Sequence, residues 1–430
     1  MDSMLPDNLR KTVLVLTDDI GVRLAGSENE LRAAEYLKEE LGKFCPGAAV
    51  ERFPVLERCV SSETYEVETD GHWHQFEGSL FSSAPGTDGR TVCAELVFFD
   101  ARTGYMKPDL SALRGKAVVH LGCHIEAEDH YRRLMEAKPA FLLFVDTRFP
   151  GDIPLADGLF PAYVKKYGAV PSINVAYQEV WRWKCSGAAR VRINVSGRNR
   201  PAETTVVTAD LPGTDPDAGI IFVGGHHDTQ AGTVGADDNA IGCAAVVELA
   251  RMLSRSKHER TIRFCCFGAE EQLSAGSAAY VRKHRSEIES RGIFMCNFDS
   301  FGSALGWAEF TVNASDSLRD LIRGIFNRNG IYFAEHTAPV PYTDQFPFAA
   351  CGVPGIWINR PNCNAGHFYH HRRDNCPDKI GFDVAAAYVS AASELLAELA
   401  DRRDISSCRG IPDAMQVQVS DLFNRVFGGF

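Results

Sequence analysis

Apolar runs alternate with helical patterns through the second half of the chain. From about residue 204, the runs GIIFVGG, TIRFCCFG and GIFMCNFD are nearly continuous in apolar residues, which is typical of strands buried on both faces of a sheet. AEFTV and VPGIWIN predict two further strands, and helical patterns span 240–253, 277–288 and 385–399. The alternation predicts an α/β fold with a mixed, mostly parallel central sheet between layers of helices.

The first 200 residues have a different pattern. Ser27 and Glu30 have the spacing of a capping box ahead of an amphipathic helix over 31–41. Short β-like runs such as TYEVET, AELVFF, KAVVHL and FLLFV then dominate, with one helical pattern over 126–137. We therefore predict that 61–198 form a smaller, β-rich domain inserted in a main domain. That main domain comprises 1–60 and 199–405, and 406–430 form a tail that is either a docked helix or an extension.

Charge and composition exclude several classes of partner. The chain has 45 Lys and Arg against 56 Asp and Glu, a formal charge of −11, which argues against a nucleic-acid partner. The sequence contains no apolar segment of about 20 residues, so we expect no membrane span. The start, MDSMLPDNLRKTVLVL, has too short an apolar run for a signal peptide. With thirteen scattered cysteines, these features predict a cytoplasmic protein with reduced thiols.

Histidines and carboxylates stand where the predicted strands end or where a helix begins: His226, His227, Asp228, Asp237, Asp238, Glu270, Glu271, Asp299, His370, His371 and Asp374. In an open α/β sheet, ligands bind outside the carboxyl ends of the strands. Several carboxylates brought to one edge would repel each other unless a cation held them. The pattern therefore predicts a metal site.

Imidazole nitrogens and carboxylate oxygens are zinc ligands. The five candidates His226, Asp238, Glu271, Asp299 and His370 are too many for one tetrahedral catalytic zinc. They suit two zinc ions about 3.5–4 Å apart with one bridging carboxylate.

Each candidate also has a structural interpretation when taken alone. Asp238 and Asn239 could cap a helix, and Asp299 could be a turn residue. Glu270 with Glu271, or His370 with His371, could be solvated surface pairs. A separate cluster of Cys363, His367, His370, His371 and Cys376 could form a small structural zinc site, although its spacing fits no zinc-finger pattern.

The segments GGHHDT, GADDNAIGCAAVVELARML, FGAEEQLSAGS and YHHRRD occur in this order along the chain. Together they resemble the co-catalytic di-zinc aminopeptidases and related exopeptidases, over about residues 10–60 and 204–402. The middle region, through LRGKAVVHLG and AKPAFLLFVDTR, resembles the protease-associated domain that is often inserted in this family.

The resemblance implies a role for each matching residue. His226 and Asp299 would bind one zinc, Glu271 and His370 the other, and Asp238 would bridge the two. Asp228 would hydrogen-bond His226 and fix its tautomer, and Asp374 would do the same for His370. Glu270 would be the general base that takes a proton from the zinc-bound water.

Alternatives one residue away remain open at His227, His371 and Asp237. PYTDQFPFAACGVPG resembles the segment that lines the substrate pocket in this family, so Tyr342 or Asp344 would contact substrate. Common versions of that segment carry His where this chain has Gln345.

We therefore predict a metallo-aminopeptidase with two zinc ions that acts on peptides with a free N-terminus. A carboxypeptidase or dipeptidase on the same scaffold is the first alternative, with Arg360 as the candidate partner of a terminal carboxylate. A cyclase of N-terminal Gln with one zinc and a non-catalytic binding relative are the others. The sequence leaves the oligomeric state open.

Replacing Glu270 by Gln tests the role that the resemblance gives this residue. Because a general base contributes about 100- to 10,000-fold, kcat of Glu270→Gln should fall by that order while the zinc content stays at the wild-type level. Elemental analysis and turnover on the same sample check this. Loss of zinc would show that Glu270 is a ligand.

Overall fold

A computed structural model describes residues 3–430 and divides the chain into two units. The first unit contains the described residues through Val55, together with Ala202–Phe368 and Asp374–Phe430. The second unit contains Leu56–Pro201 and the short segment Tyr369–Arg373.

Helices occur in both units: α1 Leu5–Leu14, α2 Glu28–Gly42, α3 Glu128–Ala137, α4 Pro161–Tyr167, α5 Tyr177–Ser186, α6 Ile241–Leu253, α7 Ala275–Lys283, α8 Arg285–Arg291, α9 Asp316–Arg328, α10 Gln345–Ala350, α11 Phe382–Asp401 and α12 Asp413–Leu422. So do strands: β1 Ala49–Thr69, β2 His72–Gln75, β3 Gly78–Leu80, β4 Val92–Asp100, β5 Ala117–Leu121, β6 Phe141–Val145, β7 Ser172–Val175, β8 Arg190–Leu211, β9 Ile220–His226, β10 Thr261–Phe267, β11 Gly292–Phe298, β12 Ala308–Asn313, β13 Phe333–His336 and β14 Gly355–Asn359.

The sheet of the first unit is mixed and mostly parallel, with the strand order β13-β12-β14-β11-β9-β10-β8. β9 pairs in parallel with β10 and with β11, and β11 pairs in parallel with β14. β12 runs antiparallel to β14, and the last part of β8 runs antiparallel to β10. This arrangement confirms the predicted α/β fold class.

Helices cover both faces of this sheet. Along β9, Ile221 and Val223 pack into a core cluster with residues of α1, α2, α6, α9 and α11. Ile220 and Phe222 point the other way, into a cluster with residues of α7, α8 and α10. Successive side chains of a strand alternate between faces, so a strand with both faces buried is apolar at every position. This is the physical reason for the continuous run GIIFV.

The second unit has its own sheet and core. Its strands lie in the order β8-β4-β5-β6-β7-β3. The strands β4, β5, β6 and β7 run parallel to one another, and β8 and β3 at the two ends pair antiparallel. A separate hydrophobic cluster includes the buried strand β6 and the largest fully buried side chain of the chain, Trp183 on α5. The predicted insert 61–198 falls within Leu56–Pro201, and the unit also contains Tyr369–Arg373, which the prediction placed in the main domain. Its identity as a protease-associated domain stays a prediction.

Local signals place several helix ends. Ser27 caps α2, and its hydroxyl accepts a hydrogen bond from the Glu30 amide at 3.2 Å. The predicted helix over 277–288 is two helices, α7 and α8, which meet at His284. In the tail, α12 forms, and Val419 of α12 and Phe423, the residue after it, pack against Phe346 of α10. The tail therefore includes a docked helix.

In the part of the chain that the structure describes, no helix combines the length and the apolar composition that crossing a bilayer requires.

Asp146 is a buried carboxylate in the second unit that pairs with two arginines. Its Oδ1 accepts from Arg148 Nε at 2.9 Å, and its Oδ2 accepts from Arg372 Nη2 at 3.0 Å. Burial raises the pKa of Asp146, but the two guanidinium groups, led by Arg148, lower it below its usual value. Arg372 lies in the segment 369–373, so this ion pair ties that segment to the rest of its unit.

Asp146→Ala should lower the free energy of unfolding of the second unit by about 3 kcal/mol at pH 7, because it leaves Arg372 buried without its counter-charge. Since the carboxylate is stabilising only when ionised, the difference should shrink as the pH falls below about 4. Urea denaturation at both pH values measures this. Glu77→Ala removes an ion pair with Arg373 whose side chains are 54% and 53% exposed; this control should change stability by less than about 1 kcal/mol. Equal effects of the two variants would contradict the role of Asp146.

Candidate metal centre

Three adjacent parallel strands deliver the candidate ligands to one edge of the sheet. His226 is the last residue of β9, and Phe267, the last residue of β10, lies beside it in register. Glu270 and Glu271 follow β10 after a short turn, and Asp299 follows β11 directly. Because the strands are parallel, their carboxyl ends meet at the same edge.

His226, Asp238 and Asp299 converge there. His226 Nε2 lies 3.1 Å from Asp238 Oδ1 and 3.5 Å from Asp299 Oδ1. The three ligand atoms lie within 4.8 Å of one another, and all three side chains are buried. One cation can contact all three atoms at once.

Asn239 places Asp238 in this group. Asp238 is in the non-helical segment before α6, with φ −123° and ψ 86°. The Asn239 side chain accepts a hydrogen bond from the Gly242 amide at 3.0 Å and donates one to Phe298 O at 2.8 Å. Asn239 therefore caps α6 and ties its start to the end of β11, while Asp238 faces His226.

The neighbouring residues Asp237 and His227 have other contacts. Asp237 Oδ1 accepts from the Gly302 amide at 2.7 Å. His227 Nε2 lies 3.0 Å from Thr205 Oγ1 and 3.4 Å from Glu30 Oε1. Of the neighbours Asp237 and Asp238, the structure therefore brings Asp238 close to Asp299. Of the neighbours His226 and His227, it brings His226 there.

Asp228 connects the ends of two strands. Its Oδ1 accepts from the Glu270 amide at 3.0 Å, its Oδ2 accepts from the Glu271 amide at 3.2 Å, and Oδ1 lies 3.4 Å from His226 Nδ1. A single carboxylate therefore orients the imidazole of His226 and fixes the turn that carries both glutamates.

The electrostatics of His226 fit a cation at this position. Both ring nitrogens are buried, and carboxylate oxygens approach them: Asp228 Oδ1 lies 3.4 Å from Nδ1 and Asp238 Oδ1 lies 3.1 Å from Nε2, neither with the angles of a regular hydrogen bond. Burial lowers the pKa of His226, but the carboxylates of Asp299, Asp228 and Asp238 outweigh it and raise the pKa well above its usual value. A zinc ion bound to Nε2 would replace the proton there and supply the positive charge that these carboxylates require. The residues present therefore fit zinc.

Glu270 lies beside this group. It is 9% exposed, and its Oε2 lies 3.9 Å from His226 Nε2. Burial raises the pKa of Glu270, His226 lowers it, and the charges of Asp299, Asp344 and Glu271 raise it further, so that the pKa stands well above that of an ordinary glutamate. A carboxylate with a raised pKa accepts a proton more readily than an ordinary glutamate does.

The remaining candidate ligands, Glu271 and His370, lie outside the group of His226, Asp238 and Asp299. Glu271 is half-buried, and its carbonyl accepts from Gln230 Nε2 at 3.1 Å. His370 is in the second unit, where its ring stacks on His371 with 3.6 Å between centroids. Asp374 begins the last segment of the first unit. Among the described residues, neither Cys363 nor Cys376 belongs to a group of three side chains that could hold a metal.

The candidate substrate contacts differ in burial. Asp344, directly before α10, is fully buried; burial raises its pKa to about 7, against the effect of His226. Tyr342 is 38% exposed. Arg360 donates through Nε to Ser303 O at 2.8 Å and through Nη1 to the Tyr388 hydroxyl at 3.2 Å.

Arg23 is a structural contributor that sequence analysis missed. It is fully buried, and it donates to the carbonyls of His227 at 2.6 Å, Val234 at 2.9 Å and Gly235 at 3.3 Å. These bonds hold the loop between His226 and Asp238. Burial lowers the pKa of Arg23 to about 10, which still leaves it a cation at neutral pH. Nothing in the run GVRLAG marks this residue, because its partners lie about 200 residues away.

Asp228→Asn tests the link between the two strand ends. The amide cannot accept from both backbone N–H groups, so one stays unpaired and the free energy of unfolding should fall by about 2 kcal/mol. The zinc content after dialysis should fall too, because His226 loses its orienting contact. Asp316→Asn, at a side chain 91% exposed, is the control and should change neither quantity. Wild-type zinc content and stability in Asp228→Asn would contradict the assignment.

Residues 206–395 match the model of peptidase family M28. Aminopeptidase YwaD of Bacillus subtilis is 25% identical over 439 residues, which cover 96% of this chain and 89% of that protein.

Two solved structures share the fold. The peptidase M28 precursor of Shewanella amazonensis SB2B has a TM-score of 0.82 at 18% identity, covering 95% of this chain and 96% of its own. BSAP, a zinc aminopeptidase from Bacillus subtilis, has a TM-score of 0.76 at 16% identity, and the match covers 96% of this chain and 99% of the BSAP chain. The resemblance seen in the sequence is confirmed over residues 206–395, the region that matches peptidase family M28.

Proposed function

We propose that the chain is a zinc-dependent aminopeptidase that removes residues from the N-terminus of peptides. The observation that carries this proposal is the convergence of His226, Asp238 and Asp299, with Glu270 beside them, at one buried edge of the sheet. The relatives described as aminopeptidases support the same activity.

The charge of the site favours a free α-amine as the group that is recognised. Carboxylates of Asp228, Asp238, Asp299 and Glu270 surround the single imidazole of His226. With Glu271 the site has five carboxylates, and the two zinc ions proposed for it would carry four positive charges. The remaining negative charge in a buried environment favours an ammonium ion over a carboxylate, and so the amino end of a peptide over the carboxyl end.

A carboxypeptidase on the same scaffold would need a cation aimed at the terminal carboxylate of its substrate. Arg360, the candidate from the sequence, already donates to Ser303 O and to the Tyr388 hydroxyl. These bonds use two of the five N–H donors of Arg360 and hold its guanidinium against Ser303 and Tyr388. The contacts of Arg360 therefore favour the aminopeptidase.

For the metal, we propose two zinc ions per chain. His226, Asp238 and Asp299 would hold one, and the family resemblance assigns Glu271 and His370 to the other, with Asp238 shared. When bound, zinc polarises a carbonyl group and lowers the pKa of water. The five side chains supply the nitrogen and oxygen ligands that zinc accepts.

The protein itself supplies the proton transfer. We assign to Glu270 the role of general base, which takes a proton from the attacking water and passes it to the leaving amine. Burial and the neighbouring carboxylates raise the pKa of Glu270 above that of an ordinary glutamate, which is the direction that helps it to accept a proton. Asp228 accepts a hydrogen bond from the Glu270 amide and so fixes the backbone from which the Glu270 side chain extends.

We propose further that the second unit is a protease-associated domain and that the protein works in the reducing cytoplasm. The cysteine pattern supports the location. Cys265 and Cys266 are neighbours on β10, and their side chains point into different core clusters on opposite faces of the sheet. Both are free, buried thiols.

The decisive experiment compares peptides that differ only in N-acetylation, on protein whose zinc content has been measured by elemental analysis. We expect about two zinc per chain, release of the first residue from free-amino peptides only, and loss of turnover under chelator. The acetylated peptide is the matched control because it lacks only the charged amine.

Other outcomes would identify the alternatives. Cleavage that ignores N-acetylation would contradict the aminopeptidase and favour a carboxypeptidase or dipeptidase. Release of ammonia from a peptide with N-terminal Gln, with one zinc per chain, would favour the cyclase. A zinc-loaded chain that turns over none of these peptides would favour the non-catalytic relative.

A further inference from the structure

Ser274 stands directly before α7, at the position where a serine hydroxyl usually accepts a hydrogen bond from an amide of the helix. Ser27 and Ser315 do so, accepting from the Glu30 and Leu318 amides. The Ser274 hydroxyl makes no capping bond. It donates instead to Glu270 Oε1, at 3.3 Å. The hydroxyl of Ser274 therefore bonds to the Glu270 carboxylate and not to a backbone amide of the helix that follows it.

The backbone around this serine is strained. Ser274 has φ 48° and Leu273 has φ 62°, and Ala269, on the other side of the glutamates, has φ 55°. Left-handed φ values are unfavourable for residues with a Cβ and persist only where the surroundings enforce them. Here the Ser274 amide donates to Glu270 O at 2.7 Å, and the Ala275 amide donates to Ala269 O at 2.9 Å. These bonds close the turn and bring the fully buried Ser274 side chain back over Glu270.

The two oxygens of the Glu270 carboxylate have different neighbours. Oε1 accepts from Ser274, and Oε2 faces His226 Nε2 at 3.9 Å. A carboxylate held at one oxygen can rotate only about that contact, so the hydroxyl determines where the second oxygen points. The main-chain bond from the Glu270 amide to Asp228 fixes the base of the same side chain.

We propose that Ser274 is a positioning residue that holds Glu270 in the orientation needed for proton transfer. The inference rests on the proposed function, because it assigns Ser274 a part in that reaction. It concerns the hydroxyl and not the backbone shape of the turn, and the two can be separated experimentally.

Ser274→Gly separates them, because glycine adopts a left-handed φ without strain and lacks the hydroxyl. We expect kcat to fall about 10-fold, the worth of one hydrogen bond to a charged group, with KM and zinc content within about twofold of wild type. Ser274→Ala should lose kcat to the same extent. Ser315→Ala is the matched control: it removes a capping hydroxyl from α9, and should lower the melting temperature while leaving kcat unchanged.

A crystal structure of zinc-loaded Ser274→Gly gives a readout that does not depend on turnover. We expect Glu270 in one conformation in the wild type and in several, or in a rotated one, in the variant. Wild-type kcat in Ser274→Gly, or an unmoved Glu270 carboxylate, would overturn the inference even if the wild type is an aminopeptidase. Failure of the wild type to cleave any free-amino peptide would instead contradict the proposed function, and the position of Glu270 in the two structures would still decide the role of Ser274.

Discussion

The structure is organised around the problem of burying several negative charges at one point. Asp228, Asp238, Asp299 and Glu270 surround His226 at the edge of a sheet whose interior is apolar. Burying a carboxylate without compensation costs several kcal/mol, so each of these groups needs a hydrogen-bond donor or a cation. The compensation comes from three sources: backbone amides, a buried guanidinium and the ion that the ligand set is suited to hold.

Each source has a structural consequence. Asp228 takes its donors from the Glu270 and Glu271 amides, which requires the chain to turn tightly after β10. Arg23 contributes positive charge near the site while its own donors are used on carbonyls of the loop after β9. The same guanidinium therefore acts electrostatically on the carboxylates and mechanically on the loop, which is why its burial is tolerated.

Much of this arrangement could be predicted from the sequence, because it depends on local pattern and on one rule of topology. Apolar runs predict buried strands, and parallel strands end at a common edge, so the meeting of His226 and Asp299 follows from their places along the chain. The full role of Asn239 could not be predicted from its position alone, because its side-chain amide forms hydrogen bonds with both α6 and the end of β11.

The contacts that the sequence analysis missed join segments that are distant along the chain or depend on unusual backbone angles. Glu30 was expected to close a capping box; its carboxylate instead accepts from Thr204 Oγ1 at 2.6 Å and from the Thr205 amide at 2.9 Å. Ser274 occupies a left-handed conformation that no residue pattern indicates. The break at His284 between α7 and α8 interrupts a helical pattern that is continuous in sequence. In each case tertiary contacts determine the local structure.

The first unit is discontinuous in sequence, and this affects how the chain is made as well as how it is built. α1 packs against α6 and α11, yet α1 ends at Leu14 and α11 begins at Phe382. At ribosomal rates of about 5–20 residues per second, the intervening chain takes roughly 20 to 70 s to synthesise. Throughout that interval the apolar face of α1, including Leu5, Leu9 and Val13, has no partner from α11 to cover it. The helix α6, at Ile241–Leu253, is made earlier and can cover part of α1 first. The part of the apolar face of α1 that α11 covers is thus exposed on the nascent chain until α11 has been made.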